Sequence, residues 1–245
     1  MYLKNVWKSF ISACKLDLRF IFVLLYEILF VLVVTGLLWL FLDVVYRLAL
    51  TAKDLPTAAF TPANVDLLKQ FYVNSVIAFI VLFILIVFAY VIFQGLGWGQ
   101  VLKKPLTPRF VWRFFLANLL WLVPWFLAAW FFIVAFQQTF VVWGMIIVAI
   151  LFTHLTLLYQ HELVAKGATI KEAISHAFSN GILGIHRFIL PYVLATLVFL
   201  LWSQIWRFFN LQTPSIFTAV MLAGIIFAPF LAWLKFYMNR VLTVI

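Results

Sequence analysis

The chain has 245 residues, 67% hydrophobic and only 10% charged, with a net charge of +10. An ordinary soluble domain is about 45–50% apolar and about 25% charged, so this composition excludes a water-soluble fold and makes lipid the solvent for the excess. The basic surplus flanks apolar segments rather than forming a patch, which points to topology signals and anionic lipid headgroups, with no nucleic-acid partner.

At the bilayer centre every backbone group must be paired internally, which leaves helices or a closed barrel. Barrel strands alternate apolar and polar residues. The run VIAFIVLFILIVFAYVIF at 76–93 does not alternate. The sequence therefore predicts an all-α fold, a polytopic membrane helix bundle forming one membrane-embedded domain over 1–245. The bilayer itself is the first partner. A membrane-protein partner or a second copy of the chain is the other partner class the sequence allows.

The N-terminal segment 3–18 reads as an amphipathic helix. Leu3, Val6, Trp7, Phe10, Cys14 and Leu18 lie opposite Lys4, Lys8, Ser12 and Lys15. Such helices with basic polar faces lie flat among headgroups, and capping the bundle is the equally open reading. Spans of the roughly 20 apolar residues needed to cross the hydrocarbon follow at 20–42, 71–94, 113–136, 140–160, 188–207 and 216–238. Span 1 is too long for a signal-peptide core and no small-x-small cleavage site follows it, so it is expected to stay in the mature chain. Cys14 is the single cysteine, which precludes an intramolecular disulfide.

Helix starts are punctuated by Thr61-Pro62, Thr107-Pro108 and Thr213-Pro214, a capping hydroxyl before a proline at the first helical position. Span 2 is expected to begin outside the membrane near residue 62. Gln137-Gln138-Thr139 reads as a tight turn that makes spans 3 and 4 antiparallel neighbours. Gly95, Gly97 and Gly99 in QGLGWGQ read as a flexible exit from span 2, with Trp98 as a headgroup anchor.

Thirteen lysines and arginines fall on one side of these spans, Lys235 among them, against four on the other. That bias places both termini in the cytoplasm of a multi-pass cell-membrane protein. Lys8, Lys15, Arg19, Arg113, Lys171 and Arg187 are the expected cytoplasmic headgroup contacts. Arg-Phe recurs at 19–20, 113–114 and 187–188, and Tyr90, Tyr159 and Tyr237 sit near the same boundary. The pattern suggests three hairpins, each entered from an interfacial helix. Arginine snorkels and a tyrosine belt account for it equally.

A second interfacial helix is expected at 169–180. Thr169 and Glu172 form a capping box, Ile170, Ala173, Ile174, Ala177 and Phe178 share a face to be buried, and Gly181 is placed to end the helix. On Thr169, Lys171, Glu172, Ala173, Ile174 and Phe178, the segment 167–182 resembles one that recurs in six-helix prokaryotic membrane families. The membrane domain attached to some glycerophosphodiester phosphodiesterases is one of them. The resemblance covers roughly a tenth of the chain and brings no catalytic residues. It implies an accessory membrane module.

Residues that could carry chemistry are few. Glu27 lies inside span 1, where a carboxylate is expensive and should face other helices or a water-filled cavity. It is either a proton or cation site or a structural glutamate that fixes packing. His154 in span 4 is expected to hydrogen-bond another helix. His161, seven residues on, is about 10 Å away along a helix, too far to share one metal, so neither metal nor cofactor is expected. Pro124 and Pro229 stand inside spans 3 and 6 as structural kinks. No H-E-x-x-H, G-x-S-x-G or C-x-x-C motif occurs, so catalysis has little support. Two classes remain: a non-enzymatic module that binds a partner or organises lipid, and a small transporter or channel-like protein using Glu27 and the proline-kinked helices.

Overall fold

The computed structural model describes residues 2–15, 17–52, 62–104, 107–135, 138–209 and 216–244, and every element among them is helical. The order is α1 (Tyr2–Ala13), α2 (Leu18–Ala52), α3 (Pro62–Leu102), α4 (Pro108–Ala135), α5 (Gln138–His161), α6 (Ile170–Phe178), α7 (Ile189–Phe209) and α8 (Ile216–Leu242). A π-helical turn, Glu162–Lys166, extends α5, and a second, Ser179–Leu183, follows α6.

Among the described residues five helices are long and apolar enough to cross a membrane: Leu18–Leu50, Val65–Leu102, Pro108–Phe132, Phe140–Lys166 and Met221–Leu242. The chain is a multi-pass membrane protein. The apolar stretch Ile189–Gln204 in α7 is shorter than these five. α2 and α3 have 35 and 41 residues, about 52 and 61 Å at 1.5 Å per residue. Both exceed a hydrocarbon core of about 30 Å, so they project beyond it. An Asp43–Arg47 ion pair (2.8 Å) stands on the C-terminal part of α2.

Three hairpins pack within themselves, α2 on α3, α4 on α5 and α7 on α8. α8 also packs along α2 and joins the first hairpin to the third, while α3 meets α4. A short helix, α1 or α6, precedes the first and third hairpins. The second has none, because α3 runs to Leu102 and α4 begins at Pro108. There the Thr107 hydroxyl accepts the Phe110 N–H (3.2 Å), closing the helix start as the Thr-Pro signature predicts. Thr61 and Thr213-Pro214 lie outside the described residues. Pro124 and Pro229 are inside α4 and α8.

Packing is concentrated at one end of the bundle. Trp98, Phe114, Tyr159, Tyr237 and Met238 are fully buried there. Towards the other end large side chains such as Trp39, Phe79, Trp130 and Trp143 are exposed, as expected where lipid is the solvent. Tyr159 and Tyr237 therefore face the bundle interior and form no headgroup belt. Tyr159 stacks on Trp121 at 4.6 Å and donates to the Ala117 carbonyl (2.8 Å), and Tyr237 stacks on Trp233 at 5.1 Å.

The glycine-rich end of α3 also differs from the expected flexible exit. The helix continues through Gly95, Gly97 and Gly99 and stops only beyond Leu102, where Lys103 turns left-handed (φ 56°). All three glycines are buried. Small residues let membrane helices approach closely, and that is their use here. Trp98 is 0% exposed, so it cannot anchor in headgroups.

α1 leans on α8. Phe10 meets Trp233 and Tyr237 edge-on at 5.9 and 5.8 Å, and the Tyr2 hydroxyl donates to the Arg187 carbonyl. Val6, Ser9 and Ala13 are buried by this contact, while Leu3, Trp7 and Ile11 stay exposed. α6 carries both halves of its capping box: the Thr169 hydroxyl accepts from the Glu172 N–H (3.3 Å), and the Glu172 carboxylate accepts from the Thr169 N–H (2.8 Å). The latter bond holds the Glu172 carboxyl below its usual range. Ala173 and Ala177 are fully buried, but Phe178 is 41% exposed, contrary to its expected burial. Gly181 does not cap α6. A Cβ there would stand 2.5 Å from Leu155 Cδ2, so its bare backbone lets the π turn settle onto α5.

Candidate functional site: a buried polar network

Glu27 is 3% exposed and lies on the face of α2 that meets α3 and α8. Its carboxylate pairs with the Lys235 ammonium from α8, and Gln94 Nε2 of α3 donates to its other oxygen at 3.4 Å. Lys235 is 7% exposed. A Cβ at Gly97 would lie 2.9 Å from Lys235 Nζ. The glycine thus gives the ammonium its berth against α3.

This corrects the reading of Lys235 as a cytoplasmic topology charge. An ammonium placed beside a carboxylate under other helices does not snorkel to water, and the basic count on that side falls to twelve. The signal was in the sequence. Span 1 holds one acid, Glu27, and span 6 holds one base, Lys235. Intramembrane charges pair with one another.

A second, neutral network is centred on α5. Gln160 of α5 is its hub: its Oε1 accepts from Trp98 Nε1 (2.8 Å), and its Nε2 donates to the Tyr90 hydroxyl (2.6 Å) and to Asn118 Oδ1 (3.2 Å). Asn118 in turn donates to the Phe114 carbonyl at 2.7 Å. Three helices, α3, α4 and α5, are joined by side chains that apolar spans would otherwise not carry. Sequence reasoning missed Gln94, Asn118 and Gln160 because an uncharged polar residue in a span does not name its partner. Neither Glu27 nor Lys235 lines any of the four cavities described among these residues.

His154 is 5% exposed and stands apart from the pair. Its Nδ1 lies 2.5 Å from the Tyr192 hydroxyl of α7 and its Nε2 lies 3.0 Å from the Gly181 carbonyl. A carbonyl only accepts, so Nε2 carries the proton, and Nδ1 accepts from Tyr192. His161 packs edge-on to Trp98 at 6.2 Å instead of joining His154. Among the described residues no three His, Cys, Asp or Glu side chains converge to hold a metal.

The expected headgroup contacts divide into two groups. Lys8, Lys15, Lys171 and Arg187 are exposed. Arg19 is half-buried and pairs with Asp17. Arg113 reaches the carbonyls of Gly167 (3.0 Å) and Ala168, while Lys104 reaches those of Val164 (2.9 Å) and Ala165. These two cations satisfy carbonyls at the end of the α5 extension, where the helix leaves acceptors unpaired and the dipole favours positive charge. At the same end Glu162 pairs with Lys166 (2.7 Å) and meets His176 of α6 (3.2 Å).

No family model, curated protein or solved structure matches this chain.

Proposed function

We propose that the chain is a non-enzymatic integral membrane module that binds a membrane partner or organises lipid. One observation supports this above others: the intramembrane carboxylate is neutralised by Lys235 within the packed bundle and lines no described cavity. A transporter site must reach water in turn from each side, and such sites gather near the midplane around broken helices. A charge clasped between three continuous helices is suited to fixing their packing. In this reading α7 is a sixth span, α1 and α6 lie in the cytoplasmic interface of the cell membrane, and both termini are cytoplasmic. The twelve-to-four bias of basic residues and the exposed Leu3, Trp7, Lys8 and Lys171 support that placement. The likeness of 167–182 to segments of accessory six-helix membrane domains agrees with it.

The test is flux. Purified chain in liposomes with an imposed pH or sodium gradient should dissipate it no faster than protein-free liposomes. A gradient collapse that is lost when Glu27 and Lys235 are both neutralised would establish the transporter reading instead. Orientation is checked separately with single cysteines in a Cys14→Ser background. Positions 57 and 138 should react with an impermeant maleimide from outside, and positions 103 and 168 only after the inner face is opened. The inverse labelling would reverse the topology.

A further inference from the structure

α5 and α7 touch at a cluster of His154, Phe188 and Tyr192, with ring centroids 5.0 and 5.4 Å from His154. On either side of that cluster the two helices open into apolar grooves. One, of about 640 Å³, runs between α5, α7 and α8 past Ala149, Thr153, Ala195 and Phe230. The other, of about 450 Å³, runs along the opposite flank of α7 past Leu151, Ile189, Val193 and Leu197. Both volumes fall in the range of roughly 300–1,000 Å³ usual for ligand sites. The grooves share Ile150, His154, Tyr192 and Thr196, so they form one fork with its polar point at the junction.

The junction is polar but uncharged, with hydroxyls from Tyr192, Thr153 and Thr196. Tyr192 uses its proton on His154 Nδ1, and His154 uses its own on the Gly181 carbonyl. Thr153 uses its proton on the Ala149 carbonyl at 2.8 Å. The oxygens of Tyr192 and Thr153 are left with lone pairs and no hydrogen to give. Neither groove is lined by a lysine or arginine. Tyr192 is in the first turn of α7, and with no cation lining either groove a phosphate seated here would lack an ionic partner.

We infer that the fork is a lipid site for a two-chain neutral glycerolipid, a diacylglycerol, with one chain in each groove and the free hydroxyl donating to Thr153. The inference deepens the lipid-organising reading and rests on it. Its test does not involve flux, so a chain that conducts protons would be exposed by the liposome experiment whatever lipid it holds.

The experiment is native mass spectrometry of the purified full chain in detergent. It is offered, in equal amounts, dioleoylglycerol, dioleoylphosphatidic acid, dioleoylphosphatidylglycerol and oleyl alcohol. Dioleoylglycerol should be retained about tenfold over each of the others. Thr196→Phe, which places a ring where the grooves meet, should abolish that adduct. Thr153→Val keeps the side-chain volume and removes one acceptor. It should lower retention about fivefold, the effect of one hydrogen bond, and it serves even where Thr196→Phe fails to fold. Preferential retention of either anionic lipid, equal retention of oleyl alcohol, indifference to Thr153→Val, or a dimer in place of a lipid adduct would each overturn the inference.

Discussion

Lys235→Met and Glu27→Gln should each destabilise the protein by about 3–5 kcal/mol, the usual cost of stranding one member of a buried ion pair. In each case the remaining charge would stay under three helices with its partner gone. The double variant Glu27→Gln/Lys235→Met should recover most of the loss, because replacing a whole buried pair by neutral groups is often harmless. Detergent unfolding followed by tryptophan fluorescence reads all three. Additive single effects with no coupling would show that the two groups do not meet.

The second large effect is expected at Gln160. Gln160→Leu leaves the Trp98 N–H, the Tyr90 hydroxyl and Asn118 Oδ1 without their partner. An unsatisfied buried group costs about 1–3 kcal/mol in soluble proteins, whereas hydrogen bonds between membrane helices average about 0.6 kcal/mol. Three such losses give about 2–4 kcal/mol. Trp98→Phe removes one donor from the same hub, keeps most of the ring, and should cost about 1 kcal/mol. That order, Gln160→Leu well above Trp98→Phe in the same unfolding assay, is the prediction. Equal costs would mean that Trp98 matters through its volume and that the hub is not a hub.

Five of the six expected spans were legible because lipid imposes one demand on them, some twenty apolar residues with the backbone paired internally. The helix start at Thr107 and the capping box at Thr169 were legible because they are local. The end of α3 was not. Gly95, Gly97 and Gly99 look like breakers in one dimension, but in three dimensions they are buried in a continuous helix, and Gly97 is where Lys235 lies. Placing the helix end eight residues early also put Trp98 and its neighbours at a boundary where tryptophan is common. Tyr159 and Tyr237 misled for the same reason, since a boundary aromatic and a buried one have the same composition. Gln160, Asn118 and Gln94 come from three different helices, and no spacing within one helix joins them. Lys235 could have been found, because Glu27 needed a partner and only one other span carried a charge in its interior.

The central claim is that Glu27 and Lys235 form a clasp closed to water. The most direct measurement is water-edited solid-state NMR on the chain in lipid, with lysine ¹⁵N-labelled at Nζ and glutamate ¹³C-labelled at Cδ. Lys235→Met identifies the Lys235 resonance by its disappearance. The predicted spectrum shows Lys235 Nζ in dipolar contact with the Glu27 carboxylate and without magnetisation from water, while exposed lysines such as Lys8 and Lys171 receive it at once. Rapid transfer from water to Lys235 would contradict the claim and place a hydrated path at Glu27.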